Sequence, residues 1–232
     1  GFERDWASGA LHLRQALRTA PTNPHVIDDA AQLLWILGRM GEAIEVYRYL
    51  VRIDPVNSLY RADLGATYLA AGMLEDAVRE LEIALEISAD NMQALRNLLR
   101  ATLQQGKPEK VRELLAQIGI EANQYTEALL GCLDGDVPSS IGTLETLVER
   151  YGERTGEHYR LAEGFAFCGD SEGAFELLEI AATQLDDPNL LLALSEPEFR
   201  VLHDDPRWDA FLEQIGLSPG QLAEIKFEVE LP

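Results

Sequence analysis

The feature of the sequence that constrains the fold most is a self-similarity with a period of 34 residues. It is clearest between Asn57 and Asp90, where two amphipathic segments, 59–70 and 74–87, flank Gly72. Apolar and small residues recur in each segment at three- and four-residue spacing, which places them on one face of an α-helix. A hairpin of two such short helices cannot bury its apolar face alone, so it requires similar neighbours.

Shifting this hairpin along the chain in steps of 34 residues finds those neighbours. The turn glycines Gly38, Gly72 and Gly106 keep the spacing, and Pro21 and Pro55 mark the ends of two second helices. Beyond residue 118 the period slips once and then returns. The sequence therefore predicts a half repeat at 3–20 and five hairpins at about 24–55, 58–89, 92–119, 124–152 and 156–186.

Small residues stand where the two helices of each hairpin would cross, because a larger side chain there would separate the helix axes. They are Gly65, Ala31, Ala128 and Ala162 on the first helices, and Ala43, Ala77 and Ala174 on the second. This pattern resembles the tetratricopeptide repeat (TPR), a 34-residue helix–turn–helix. The resemblance covers roughly residues 3–186 and implies an all-α fold, a right-handed superhelix or TPR solenoid over 1–186 that binds a protein or peptide.

The C-terminal segment, residues 187–232, is predicted to form capping helices and an extended tail. Its apolar residues could close the open end of the solenoid; they are Phe199, Leu202, Trp208, Phe211, Leu212 and Ile215. Residues 187–217 also resemble the C-terminal end of bacterial regulators in which a winged-helix transcription domain, an adenylate cyclase or a kinase precedes the repeats. This resemblance implies the regulatory part of a larger signalling or transcription-regulating protein, with a catalytic or DNA-binding domain upstream.

The last residues change periodicity. Ile225, Phe227, Val229 and Leu231 alternate with charged residues, and a period of two predicts a short terminal strand. We expect these four residues to act in assembly, by pairing with a second copy or with an upstream domain. Alternatively the tail lies extended in a groove, or it is a frayed terminus.

The first helices of successive hairpins line the concave face of such a solenoid, where resembling proteins hold extended peptides. The repeat register places there Asp28, Gln32, Trp35, Asp63, Ala66, Leu69, Arg96, Asn97 and Arg100. Arg96 and Arg100 could receive a partner's carboxylate through forked hydrogen bonds; the alternative is an intramolecular pair with Asp63 or a neighbouring acid. Trp35 is either a peptide anchor or a packing residue.

Chaperone-binding members of the family grip a terminal carboxylate with lysines and asparagines at defined concave positions. Those positions hold Asp28, Gln32 and Asp63 in this sequence. Two acids where cations are needed argue against that particular activity.

The formal net charge of −21 disfavours direct nucleic-acid binding, because an acidic surface repels phosphates. No apolar window reaches the roughly 18 residues that span a bilayer, so we expect no membrane insertion. The predicted location is the cytoplasm, or alternatively the periplasmic half of a membrane-anchored regulator. Cys132 and Cys168 occupy small or apolar helical positions and are expected to be buried free thiols rather than a disulfide.

Motifs for catalysis are missing from the sequence. The four histidines are scattered without metal-ligand spacing, and there is no phosphate-binding glycine loop or nucleophile elbow. We therefore predict no catalytic residues, no metal ligands and no cofactor. The favoured function is a protein-interaction module, and the alternative is a self-association module that forms a homodimer without a specific ligand.

Overall fold

The computed structural model describes residues 6–117, 123–151, 154, 156–183 and 187–231. The chain divides into two compact units. Unit 1 comprises residues 1–101 and 216–232, and unit 2 comprises residues 102–215.

The predicted all-α repeat fold is confirmed. The repeat helices are α1 (Trp6–Thr19), α2 (Pro24–Ile36), α3 (Met40–Ile53), α4 (Ser58–Ala70), α5 (Leu74–Ile87), α6 (Met92–Gln104), α7 (Pro108–Gln117), α8 (Gln124–Leu133), α9 (Val137–Tyr151), α10 (Glu157–Phe167) and α11 (Ser171–Thr183). Two 3-10 helices, Pro188–Leu192 and Pro197–Leu202, precede α12 (Pro206–Ile215) and α13 (Pro219–Ala223).

Asparagines cap the first helix of several repeats. The side chains of Asn23, Asn57 and Asn91 accept hydrogen bonds from the backbone N–H groups at the start of α2, α4 and α6, over 3.0 to 3.1 Å. Each cap satisfies a donor that the helix itself cannot pair. The three asparagines follow the same 34-residue period as the turn glycines, so cap and turn mark the two ends of each first helix.

Gly65 lies where α4 crosses α5 and permits their close approach. A Cβ atom at this position would stand 2.6 Å from Leu81 Cγ and 3.3 Å from the carbonyl oxygen of Ala77. Leu81 and Ala77 are both fully buried, so neither has free space to move into. The small residue that the repeat pattern predicts here is therefore required by packing.

Gly65→Ala is expected to lower the free energy of unfolding of unit 1 by about 1–2 kcal/mol, because overpacking outweighs the gain in helix propensity. Chemical denaturation measures this difference. Gly41→Ala is the matched control, since a Cβ there meets no atom within 4 Å in α3. The control should stabilise the unit by about 0.5–1 kcal/mol. Equal effects of the two substitutions would contradict the steric argument.

The capping segment of unit 2 is built around Phe199, which is fully buried. Its ring lies 5.4 Å from Tyr159 of α10 in an edge-on arrangement and 5.9 Å from Trp208 of α12. Arg207 at the start of α12 donates to Glu172 of α11 over 2.9 Å. All six apolar residues predicted for this face are buried, so the segment covers the last hairpin of unit 2.

The C-terminal tail runs extended within unit 1 rather than as a strand. No β-strand forms anywhere in the described ranges, so the predicted terminal strand is not found. Ile225 and Phe227 are buried, whereas Lys226, Glu228 and Glu230 are exposed. The period of two in the sequence therefore reflects the alternate burial of Ile225 and Phe227, without a partner strand among the described residues.

The prediction of free cysteines is wrong. Cys132 near the end of α8 and Cys168 at the end of α10 form a disulfide, with their Cα atoms 5.5 Å apart. Successive first helices are neighbours in a repeat array, so residues about one period apart come close. Cys132 and Cys168 are 36 residues apart, close to one period, and stand at the ends of two successive first helices.

Candidate functional site

The predicted concave residues lie on the first helices of unit 1. Asp28, Gln32 and Trp35 are on α2, and the other six residues are divided equally between α4 and α6. Leu69 and Asn97 are buried, at 2% and 7% exposure, and therefore offer little surface to a partner. Gln32 and Arg96 are exposed, and the remaining five are half-buried.

The two predicted acids, Asp28 and Asp63, are half-buried and interact electrostatically with each other. Asp28 accepts a hydrogen bond from Gln32 one turn away, over 3.2 Å, and Asp63 accepts one from Gln93 of α6 over 2.5 Å. Burial raises the pKa of Asp63 to about 6, against the lowering effect of Gln93, and the charge of Asp28 adds to the rise. Burial and the carboxylate of Asp29 likewise raise the pKa of Asp28.

Two tyrosines of unit 1 interact with Asp28 and Asp63. Tyr47 of α3 is 3% exposed, and burial together with the charges of Asp63 and Asp28 raises its pKa. Tyr60 of α4 has a pKa raised by burial and by Asp28, Asp54 and Asp63. The phenols therefore stay protonated at neutral pH.

The carboxyl group of Asp63 should make the stability of unit 1 depend on pH. Its folded pKa of about 6 lies above the unfolded value of about 4, so the folded state binds the proton more tightly. This contribution to stability is complete below about pH 4 and is lost as the pH rises through about 6. Asp63→Asn should therefore raise the free energy of unfolding by about 1–2 kcal/mol at pH 7.5, with the gain disappearing near pH 4.

Denaturant unfolding of both proteins at the two pH values measures this effect. Glu82→Gln, at an exposed position of α5, is the control and should change stability little at either pH. A gain from Asp63→Asn of equal size at both pH values would contradict the proposed titration.

The arginines predicted to bind a carboxylate differ in their surroundings. Arg96 is exposed, whereas Arg100 is half-buried and already engaged in contacts within the chain. In the part of the chain that the structure describes, Asp63 bonds to Gln93 and not to either arginine. The hydrogen bond to the carboxylate of Asp63 therefore comes from a neutral amide.

Unit 2 brings together three carboxylates that sequence spacing does not connect. Ligand atoms of Glu163 on α10, and of Glu196 and Glu198 at the second 3-10 helix, lie within 4.8 Å of one another. All three also make other contacts within the chain. Such a trio forms only through folding of the capping segment, and acids alone do not define a metal site.

A cavity of about 350 Å³ adjoins this trio in unit 2. Its lining includes Leu133, Phe167 and Gly169, which flank the disulfide, and Glu198 and Val201 from the second 3-10 helix. This cavity could not be predicted from the sequence, because its walls come from four separate elements.

Comparison with known structures agrees with the helical hairpins described above. A tetratricopeptide repeat protein from Parabacteroides merdae ATCC 43184 superposes with a TM-score of 0.54 and 16% identity, over 95% of this chain and 91% of that one. The chain has a TPR-like helical-repeat fold. A second structure, YrrB, described as a TPR protein with an unusual peptide-binding site, is 17% identical over 78% of this chain and 95% of its own, with a TM-score of 0.46.

Among curated proteins, the TPR-like chain is similar to a TPR repeat-containing thioredoxin of Arabidopsis thaliana, at 28% identity over 180 residues. The match includes 76% of this chain and spans only 23% of the length of that relative. No family model matches the sequence. None of the described helices is long and apolar enough to cross a membrane.

Proposed function

We propose that this chain is a protein-interaction module, and that unit 1 binds a positively charged segment of a partner protein along α2, α4 and α6. TPR-like repeats build extended surfaces for protein binding. The observation that supports this choice is the half-buried pair Asp28 and Asp63 on neighbouring first helices. Two partly desolvated carboxylates attract a lysine or arginine side chain, and a bound cation would lower both pKa values.

The raised pKa of Asp63 means that its charge destabilises the free protein at neutral pH. Residues whose charge lowers the stability of the free protein are frequently found in binding sites, where the ligand provides the opposite charge that the free protein lacks. The exposed Arg96 on α6 suits an acidic group in the same partner segment. The proposed ligand is therefore an extended peptide with a basic residue that faces α2 and α4.

Two fluorescent decapeptides test this proposal, one alternating lysine with leucine and the other alternating glutamate with leucine. The lysine peptide should bind the wild-type chain, and Asp63→Asn or Asp28→Asn should weaken binding about ten- to hundredfold, the range of one hydrogen bond to a charged group. Anisotropy titration at low and physiological salt measures the affinities.

Glu82→Gln removes an equal charge from an exposed position of α5 and is the matched control for general attraction to this acidic protein. If it weakens the lysine peptide as much as Asp63→Asn does, binding is nonspecific and the proposed site is wrong. If instead only the glutamate peptide binds, and Arg96→Glu abolishes that binding, the site lies at the arginine end of the face.

We also propose that this module is the regulatory part of a larger bacterial signalling or transcription-regulating protein. The resemblance of residues 187–217 to the C-terminal end of such regulators supports this. The mass of the native protein, measured by immunoblotting of the source cells with an antibody to this chain, tests it. A native mass of 25.8 kDa would contradict the proposal.

A further inference from the structure

The C-terminal tail is held in unit 1 in the manner of a bound peptide. The guanidinium group of Arg39, at the turn between α2 and α3, donates to the carbonyl oxygens of Ile225 and Phe227, over 2.7 and 2.6 Å. These two oxygens are two residues apart in an extended segment. One rigid fork therefore fixes both the direction and the register of the tail.

The side chains of the tail separate into a buried and an exposed set. Ile225 is 5% exposed and Phe227 is fully buried, while the intervening Lys226 and the following Glu228 are exposed. Arg39 contacts main-chain oxygens, which every peptide carries, so selectivity comes from the two buried side chains. A surface that holds a peptide in this way would select an apolar residue followed, two positions later, by an aromatic one.

We propose that this surface around Arg39, the tail seat, is a second peptide-binding site, and that the C-terminal tail occupies it as an intramolecular ligand. The partner is a protein with an extended apolar–x–aromatic segment, which displaces the tail on binding. A tethered ligand competes at an effective concentration on the order of millimolar. The tail therefore blocks weak ligands and admits only segments that bind more tightly or through additional contacts.

A labelled peptide of residues 222–232 tests the tail seat, because it has the sequence of the tail that occupies this surface in the structure. Full-length Phe227→Ser should bind this peptide at least about tenfold more tightly than the wild-type chain, since the competing tail is weakened. Glu228→Ser places the same side chain at the adjacent exposed position and should behave as wild type. Adding Arg39→Ala to Phe227→Ser should abolish peptide binding. Adding Asp63→Asn to Phe227→Ser should leave peptide binding unchanged, and this difference distinguishes the tail seat from the site at Asp28 and Asp63.

A folded Phe227→Ser variant, with wild-type circular dichroism, that binds the peptide no better than Glu228→Ser would overturn the proposal. If Phe227→Ser does not fold, the wild-type chain decides the question. The methyl NMR signals of Ile225 should then move to the positions of an unstructured chain as unlabelled peptide is added. Signals that stay unchanged up to the solubility limit of the peptide would show that the tail is a fixed part of unit 1.

Discussion

Phe199→Ala is expected to lower the free energy of unfolding of unit 2 by about 3–5 kcal/mol, the usual loss for a fully buried aromatic ring. Phe199 has no exposed surface and contacts the rings of Tyr159 and Trp208. Truncation removes these contacts and leaves a cavity between α10, α12 and the second 3-10 helix. Trp208 lies in this cluster, so its fluorescence during denaturant unfolding reports the loss directly.

Val201→Ala is the control for Phe199→Ala. Val201 belongs to the same 3-10 helix but is 51% exposed. Its truncation should change the stability of unit 2 by no more than about 0.5 kcal/mol. A loss below about 1 kcal/mol for Phe199→Ala would show that the cap contributes little to unit 2, and that the last hairpin is stable without it.

The fold could be predicted because the same short-range pattern of apolar and small residues recurs in successive repeats. Gly65 and Ala77 at the crossing and Gly72 in the turn each act within one hairpin, where residues that are close in sequence are also close in space. The capping face around Phe199 could also be predicted, since an exposed terminal hairpin needs an apolar cover.

The candidate site could be predicted only in part. Asp28 and Asp63 follow from the register, but the partner of Asp63 does not, because Gln93 and Arg96 are separated by less than one helical turn and only the rotation of α6 selects between them. The seat of the tail depends on Arg39, which is 186 residues from Ile225 in the sequence. No periodic pattern connects such distant residues.

The disulfide between Cys132 and Cys168 gives the second large expected effect. It closes a loop with a sequence separation of 36 residues, and restricting the unfolded chain in this way stabilises the folded state by about 3–4 kcal/mol. Because the bond joins the ends of α8 and α10, it fixes the spacing of two successive first helices. Cys132→Ser/Cys168→Ser should therefore lower the free energy of unfolding of unit 2 by this amount.

Reduction of the wild-type chain provides the matched comparison. Wild-type protein treated with tris(2-carboxyethyl)phosphine should unfold at the same denaturant concentration as the double serine variant, and the variant itself should not respond to the reductant. Thiol titration of the wild-type chain in denaturant, without reductant, should find no free thiol. Two titratable thiols, together with equal stability of wild type and variant, would show that α8 and α10 are held by packing alone and that the cysteines are free, as the sequence first indicated.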